Sequence, residues 1–425
     1  MMKRYLQLFV CFLVGALPVI GQSPYQNTMV NQGTLTISKE AVVSTSYDFD
    51  NKESGVVQSD GATYYYRNFN NDNLYYPSTG STSAHAVFTP LEEGEEGVQL
   101  ISGSKPSEFY RVTLNNPTPV KGFDLTNEMN VKGSVDFQRG IMHVDSLQGM
   151  LTFHPGAQAI DPSDQSHADG YVEKIGKDSF TYPIGDKGLY RPARISSPPT
   201  EKDIYQSKYV LEDHQFFKSH SATSTSIILL NTQEYWKVEK PSASSGDIML
   251  TLSWDDRTTL SDLLTDPEER LHIVRWDEKE ELWVDEGGIV SVDSKEVTTP
   301  SHVKGYGYFT LAKVDVRLAD KDLVVYNLVT PDGDGKNDYF LIDNLHRYPN
   351  NRVEIYNRWG VKVYEASGYG SSDTVFKGYS EGRTTVNKNE YLPSGTYYYI
   401  LTYEKSDKNG SRTIKKSGYL HLETN

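Results

Sequence analysis

The residues best placed for chemistry are oxygen donors. Asp332, Asp334, Asn337 and Asp338 crowd into the run Thr330-Pro331-Asp332-Gly333-Asp334-Gly335-Lys336-Asn337-Asp338. Closely spaced carboxylate and amide oxygens are what a hard cation such as calcium collects. The EF-hand pattern fails, because with Gly335 as the invariant glycine the last ligand position falls on Leu341, which has no oxygen to offer. An Asp/Gly-rich turn that satisfies its own backbone is the preferred reading, and no metal or other cofactor is expected. Asp255-Asp256 after Trp254 invites a glycosidase with paired carboxylates. Neighbouring strand residues point to opposite faces, however, so a solvated turn is preferred. His143 and Asp145 would share a strand face as two ligands, a spacing that chance supplies often. The ten histidines are scattered, and no His-Glu-x-x-His pattern occurs. The acidic run from Glu92 to Glu96 reads as a solvated loop. No catalytic residues are assigned, and the chain is expected not to be an enzyme.

Composition narrows the setting for these residues. Lys3 and Arg4 precede the apolar run Leu6 to Ile20, with small Gly21 before Gln22, which reads as a secretory signal peptide over 1–21. The single cysteine, Cys11, lies inside it, so the exported chain has no disulfide and must rely on packing. Without the leader, 40 basic residues face 57 acidic ones, a formal charge of −17 that argues against nucleic acid. Residues 322–425 carry 13 acidic and 13 basic residues, so the whole excess sits upstream and the tail is a separate unit.

Thirty tyrosines, little helical periodicity and short alternating runs bounded by Gly, Asn, Asp and Pro predict an all-β fold. Residues 22–165 read as an irregular β region, either a short β-helix or a sandwich, with brief strands such as Gly61 to Tyr66 and Met150 to Phe153. Residues 166–316 read as a β-sandwich, with a hairpin around Asp277 to Glu280 and one loop helix within Thr258 to Leu271. Residues 322–425 predict an Ig-like sandwich, in which Val353 to Tyr356 and Val361 to Tyr364 are joined by a tight turn with Gly360 at positive φ. Trp359 is expected to pack on that hairpin.

Several motifs in the tail keep a fixed order: Pro331, Asp332, Gly333, Asp334, Gly335, Asn337 and Asp338; then Asn357, Arg358, Trp359 and Gly360; then Pro393-Ser394-Gly395-Thr396-Tyr397; then Gly418 in the last strand. In this order the tail resembles the gliding-motility-associated C-terminal domain, the type B sorting domain of type IX secretion. It departs from that pattern at Asp332, where the family usually has Asn, and at Phe376-Lys377-Gly378, where it often has Trp-Asp-Gly. The stretch Phe180 to Pro192 resembles a segment of large surface proteins of gliding bacteria. The resemblance implies export through the periplasm to the cell surface or medium, with the type IX translocon and a PorP/SprF-like outer-membrane protein as partners. The upstream regions are then a structural or adhesin-like passenger for a surface glycan or protein. The alternative is a carbohydrate-binding or carbohydrate-active protein, for which a β-helix lyase would need Asp, Lys and Arg on neighbouring coils. Residues 33–160 show no such spacing.

Overall fold

Asn31, Asn51 and Asn71 occupy one position on three successive turns of the chain. Each amide hands a hydrogen bond to the next: Asn31 Nδ2 donates to Asn51 Oδ1 at 2.8 Å, and Asn51 Nδ2 to Asn71 Oδ1 at 2.7 Å. Buried amides must be paired, and a stacked ladder pairs them coil by coil. The chain here is a parallel β-helix, which settles the choice left open between helix and sandwich. The structure, a computed structural model, describes residues 27–92, 97–224, 226–241, 244, 246–314, 323–333, 337–343, 345, 348–370, 374–380, 391–407 and 410–424. The expected signal peptide over 1–21 and residues 93–96 of the acidic run lie outside these.

Three faces build the β-helix. One stacks Thr28–Asn31, Asp48–Asn51, Phe69–Asn71, Gln99–Ser102, Phe123–Leu125, Met142–Val144 and Ala168–Asp169. A second stacks Val42–Thr45, Ala62–Tyr65, His85–Phe88, Ser107–Asn115, Glu128–Arg139 and Met150–Phe153. The short third face is Thr34–Ile37, Val56–Ser59 and Leu74–Tyr76. Alternation sends every second residue inward. Phe49, Tyr65, Phe69, Tyr75, Phe88 and Phe109 fill the early coils with ring centroids 4.9 to 6.1 Å apart, and aliphatic residues from Val112 onward fill the later ones.

Strand Val172–Ile175 joins this solenoid to the next unit. It lies parallel to Met150–Phe153 on one side and antiparallel to Ile204–Leu211 on the other. The sheet continues through Glu234–Glu239, Gly307–Val314, Leu271–Asp277 and Leu282–Gly287. It therefore crosses residues 165–166, the expected boundary, without interruption, and one apolar core runs from Phe49 to Leu311. A second sheet of Phe180–Tyr182, Ala193–Ile195, Leu250–Ser253, Glu296–Thr298 and Ile289–Ser291 completes a sandwich. The turn at Asp277 to Glu280 is a hairpin, with Trp276 opposite Trp283. Within Thr258 to Leu271 the helix is a 3-10 turn at Ser261–Leu264 and one α turn at Pro267–Arg270.

At the centre of the sandwich, Arg191 Nη2 meets Glu234 Oε2 at 3.0 Å with both side chains buried. Glu234 also accepts from Tyr209 Oη and Thr259 Oγ1, each at 2.6 Å, and from Asn231 Nδ2 at 2.9 Å. The arginine of the Phe180 to Pro192 stretch is thus a structural ion, with its guanidinium 5.2 Å from the Trp236 ring centre.

Residues 323–424 form a second body with its own core. Five strands lie in the order Leu328–Val329, Gly410–Leu422, Gly395–Asp407, Asn351–Tyr356, Lys362–Ser367. A two-stranded sheet, Val324–Val325 with Ile342–Asp343, faces them and completes the C-terminal sandwich.

Candidate functional site

Strand register decides which of the tail's motif residues meet. Val329 pairs with Leu422, Leu422 with Gly395, and Tyr398 with Tyr356. The chain leaving Val329 into the Pro331 loop, the start of Gly395–Asp407 and the turn after Tyr356 therefore all lie at one end of the sheet. Three strand spacings separate the Pro331 loop from the Asn357 to Gly360 turn, about 14 Å. Two motifs far apart in sequence thus share one end of the sheet, on strands near its opposite edges.

Each is closed by its own hydrogen bonds. In the first loop Asn337, at φ 54°, accepts from Thr330 N at 2.7 Å through its carbonyl. Asp338 Oδ1 accepts from Gly333 N at 2.7 Å, and Pro331 O accepts from Tyr391 Oη at 3.2 Å. Among the described residues of the calcium candidate, the oxygens thus brace a turn. Asp334 and Gly335 lie outside the described residues. In the second turn Asn357 Oδ1 accepts from Trp359 N and Val361 N, both at 3.0 Å, and Gly360 N donates to Asn357 O at 2.9 Å. Gly360 sits at φ 76°, where a side chain is strained. The turn carries Arg358 and Trp359 beyond both strands.

Trp359 does not pack on the hairpin as expected. Its ring is 59% exposed, and the Arg358 guanidinium lies 4.4 Å from the ring centre. The pair forms a cationic, aromatic knob at the sheet end. The remaining motif residues are structural: Tyr397 is buried and donates to Pro393 O at 2.8 Å, and Gly395 opens its strand. Gly418 pairs across the strand with Tyr399, and a Cβ there would lie 2.8 Å from the Tyr399 hydroxyl. The glycine leaves room for that ring.

The other chemical candidates are engaged elsewhere. His143 Nδ1 stands 3.8 Å from Asp169, while Asp145 accepts backbone bonds from Leu147 and Gln148, which hold its carboxyl below the usual range. The Asp255 side chain holds Arg257 at 2.6 Å, which lowers its pKa to about 2. Asp256 binds Lys295 at 2.8 Å, so the two aspartates do not converge. The sequence contains one Gly-x-Ser-x-Gly run, Gly378 to Gly382, which corrects the reading that no such pattern occurs. Its Ser380 is buried and lies beside Val363 O at 3.4 Å, unlike a nucleophile raised at a strand-to-helix turn. A cavity of about 310 Å³ on the middle sandwich is lined in part by His220, Trp276, Glu278 and Glu281. Trp276 is only 5% exposed and sits edge to face with His220 at 4.6 Å, so it offers no open ring face. Among the described residues no group of three His, Cys, Asp or Glu could hold a metal ion.

With this geometry in view, residues 323–422 match the family model of the CHU_C type IX secretion signal domain. No curated protein and no solved structure matches the chain. The C-terminal domain is an export signal, and it directs the protein through the periplasm to the cell surface or beyond by the type IX machinery.

Proposed function

We propose that the chain is a non-catalytic surface protein whose β-helix and middle sandwich form a structural or adhesive passenger, delivered by residues 323–425. What supports the export half is the match of residues 323–422 to the type IX secretion signal domain, in which the Pro331 loop and the Arg358-Trp359 turn share one end of the sheet. An outer-membrane protein of the PorP/SprF type is the partner proposed for that surface. The passenger half rests on how its ionisable groups are spent: Arg191 and Glu234 sit in the core, and Asp255 and Asp256 hold separate cations. The aromatic and acidic cavity beside His220 favours a glycan ligand as second reading, weakened by the covered face of Trp276. A chain ending at residue 322 should remain in the periplasm with its passenger folded. Equal delivery of truncated and full chains to the surface would sink the proposal.

A further inference from the structure

Ile400 is 1% exposed yet lies outside the core of its own domain. The alternation of Gly395–Asp407 explains why: Tyr399 and Leu401 point into that core, so Ile400 must point to the opposite face of the sheet. Tyr356, 8% exposed, also stands outside the core, and its register partner Tyr398 shares that outer face. An isolated sheet would leave both in water. On the middle sandwich Met249 has the matching anomaly, being 4% exposed and in none of the apolar clusters.

These residues meet. A Cβ on Gly360 would lie 2.6 Å from Met249 Sδ, so the turn is seated against that side chain. The rings of Tyr356 and His302 are 6.2 Å apart, and Lys415 Nζ donates to Ser301 Oγ at 3.2 Å. A Cβ on Gly287 would lie 3.1 Å from Ser417 Oγ. Ser417 pairs with Ile400, so this contact lies on the same outer face. Apolar burial, a close glycine approach and a polar rim are the parts of a specific interface.

The geometry points to a docking site on the middle sandwich for the outer sheet face of the signal domain, with Met249 under Gly360 and the apolar side chain of Ile400 turned toward the passenger. Passenger and signal then travel as one body, and the face they share is closed to the export machinery. What stays open is the sheet end carrying Arg358 and Trp359. This consequence rests on the export reading, whereas the docking itself does not.

A specific protease site inserted between Leu318 and Ala319 of the full chain tests the docking directly. After cutting, the two pieces should co-elute from a size-exclusion column at micromolar concentration. Ile400→Asp, or Met249→Asp on the opposite side, should weaken their association at least tenfold and separate them, with each piece retaining its β circular dichroism. Separation of the unsubstituted pieces, or co-elution of both variants, overturns the docking. Either result leaves the export signal untouched, since that is judged by delivery of the chain ending at residue 322.

Discussion

Replacing Glu234 by Gln removes the negative charge of the buried pair and turns one of its two acceptor oxygens into a donor. Gln keeps an acceptor for only one of Tyr209, which meets Oε2, and Thr259, which meets Oε1, and Arg191, with its side chain 2% exposed, loses its counter-ion. Breaking a buried pair at one partner costs about 3–5 kcal/mol, most of it from the stranded charge. With a urea slope of about 3 kcal/mol/M, that lowers the unfolding midpoint by about 1–1.7 M. Trp236 fluorescence is the natural probe, because its indole Nε1 donates to Arg191 O at 3.0 Å and its ring lies beside the guanidinium. Adding Arg191→Met to Glu234→Gln should recover most of the loss, since no uncompensated charge then remains in the core. A shift below about 0.3 M for Glu234→Gln, or a double variant as unstable as the two single losses added, would refute the reasoning.

Asn51→Ala breaks the amide ladder in its middle and should destabilise the solenoid by about 1–3 kcal/mol, read as earlier hydrogen exchange in residues 28–76 than in the sandwich; uniform exchange in both would contradict it. Gly418→Val places methyl groups against Tyr399 and should cost the signal domain about 1–3 kcal/mol, lowering its melting transition alone; an unchanged transition would show that the ring is free to move. Asp255 has a folded pKa of about 2 against an ordinary 3.8, so its pairing with Arg257 stabilises fully above about pH 4 and is lost as pH falls through about 2. Carboxyl NMR of Asp255 should give a midpoint near 2, and a midpoint at the ordinary value would remove that contribution.

How much of this was legible depended on strand length. The hairpin Leu271–Asp277 and Leu282–Gly287 is long enough for alternation to show in the sequence. Solenoid strands of three or four residues are legible only in part: Ala62–Tyr65 and Met150–Phe153 show in the sequence, whereas Asp48–Asn51, Phe69–Asn71 and Leu74–Tyr76 do not. A repeat was present all the same: Asn31, Asn51 and Asn71 recur every 20 residues. It fades because later coils lengthen, with Phe69 stacking on Ile101 across 32 residues. The ion pair of Arg191 has no signal in the sequence, since its partner Glu234 lies 43 residues on and only the folded sandwich brings them together. In the tail, motif order identified the domain, but the exposure of Trp359 depends on a turn that runs past both of its strands. The burial of Ile400 depends on a surface in another domain altogether.

Residues 323–422 carry the export signal. The most direct measurement puts them, with the preceding linker, behind a secretory leader and an unrelated fluorescent protein in a cell with an intact type IX system. The fraction reaching the surface or medium is then compared with that of Arg358→Ala and Trp359→Ala, each checked for an unchanged melting transition. The fusion should leave the periplasm, and both variants should be delivered several-fold less while staying folded. A fusion retained in the periplasm would contradict the export reading, and variants delivered as well as the parent would remove the Arg358-Trp359 end of the sheet as the surface that is read.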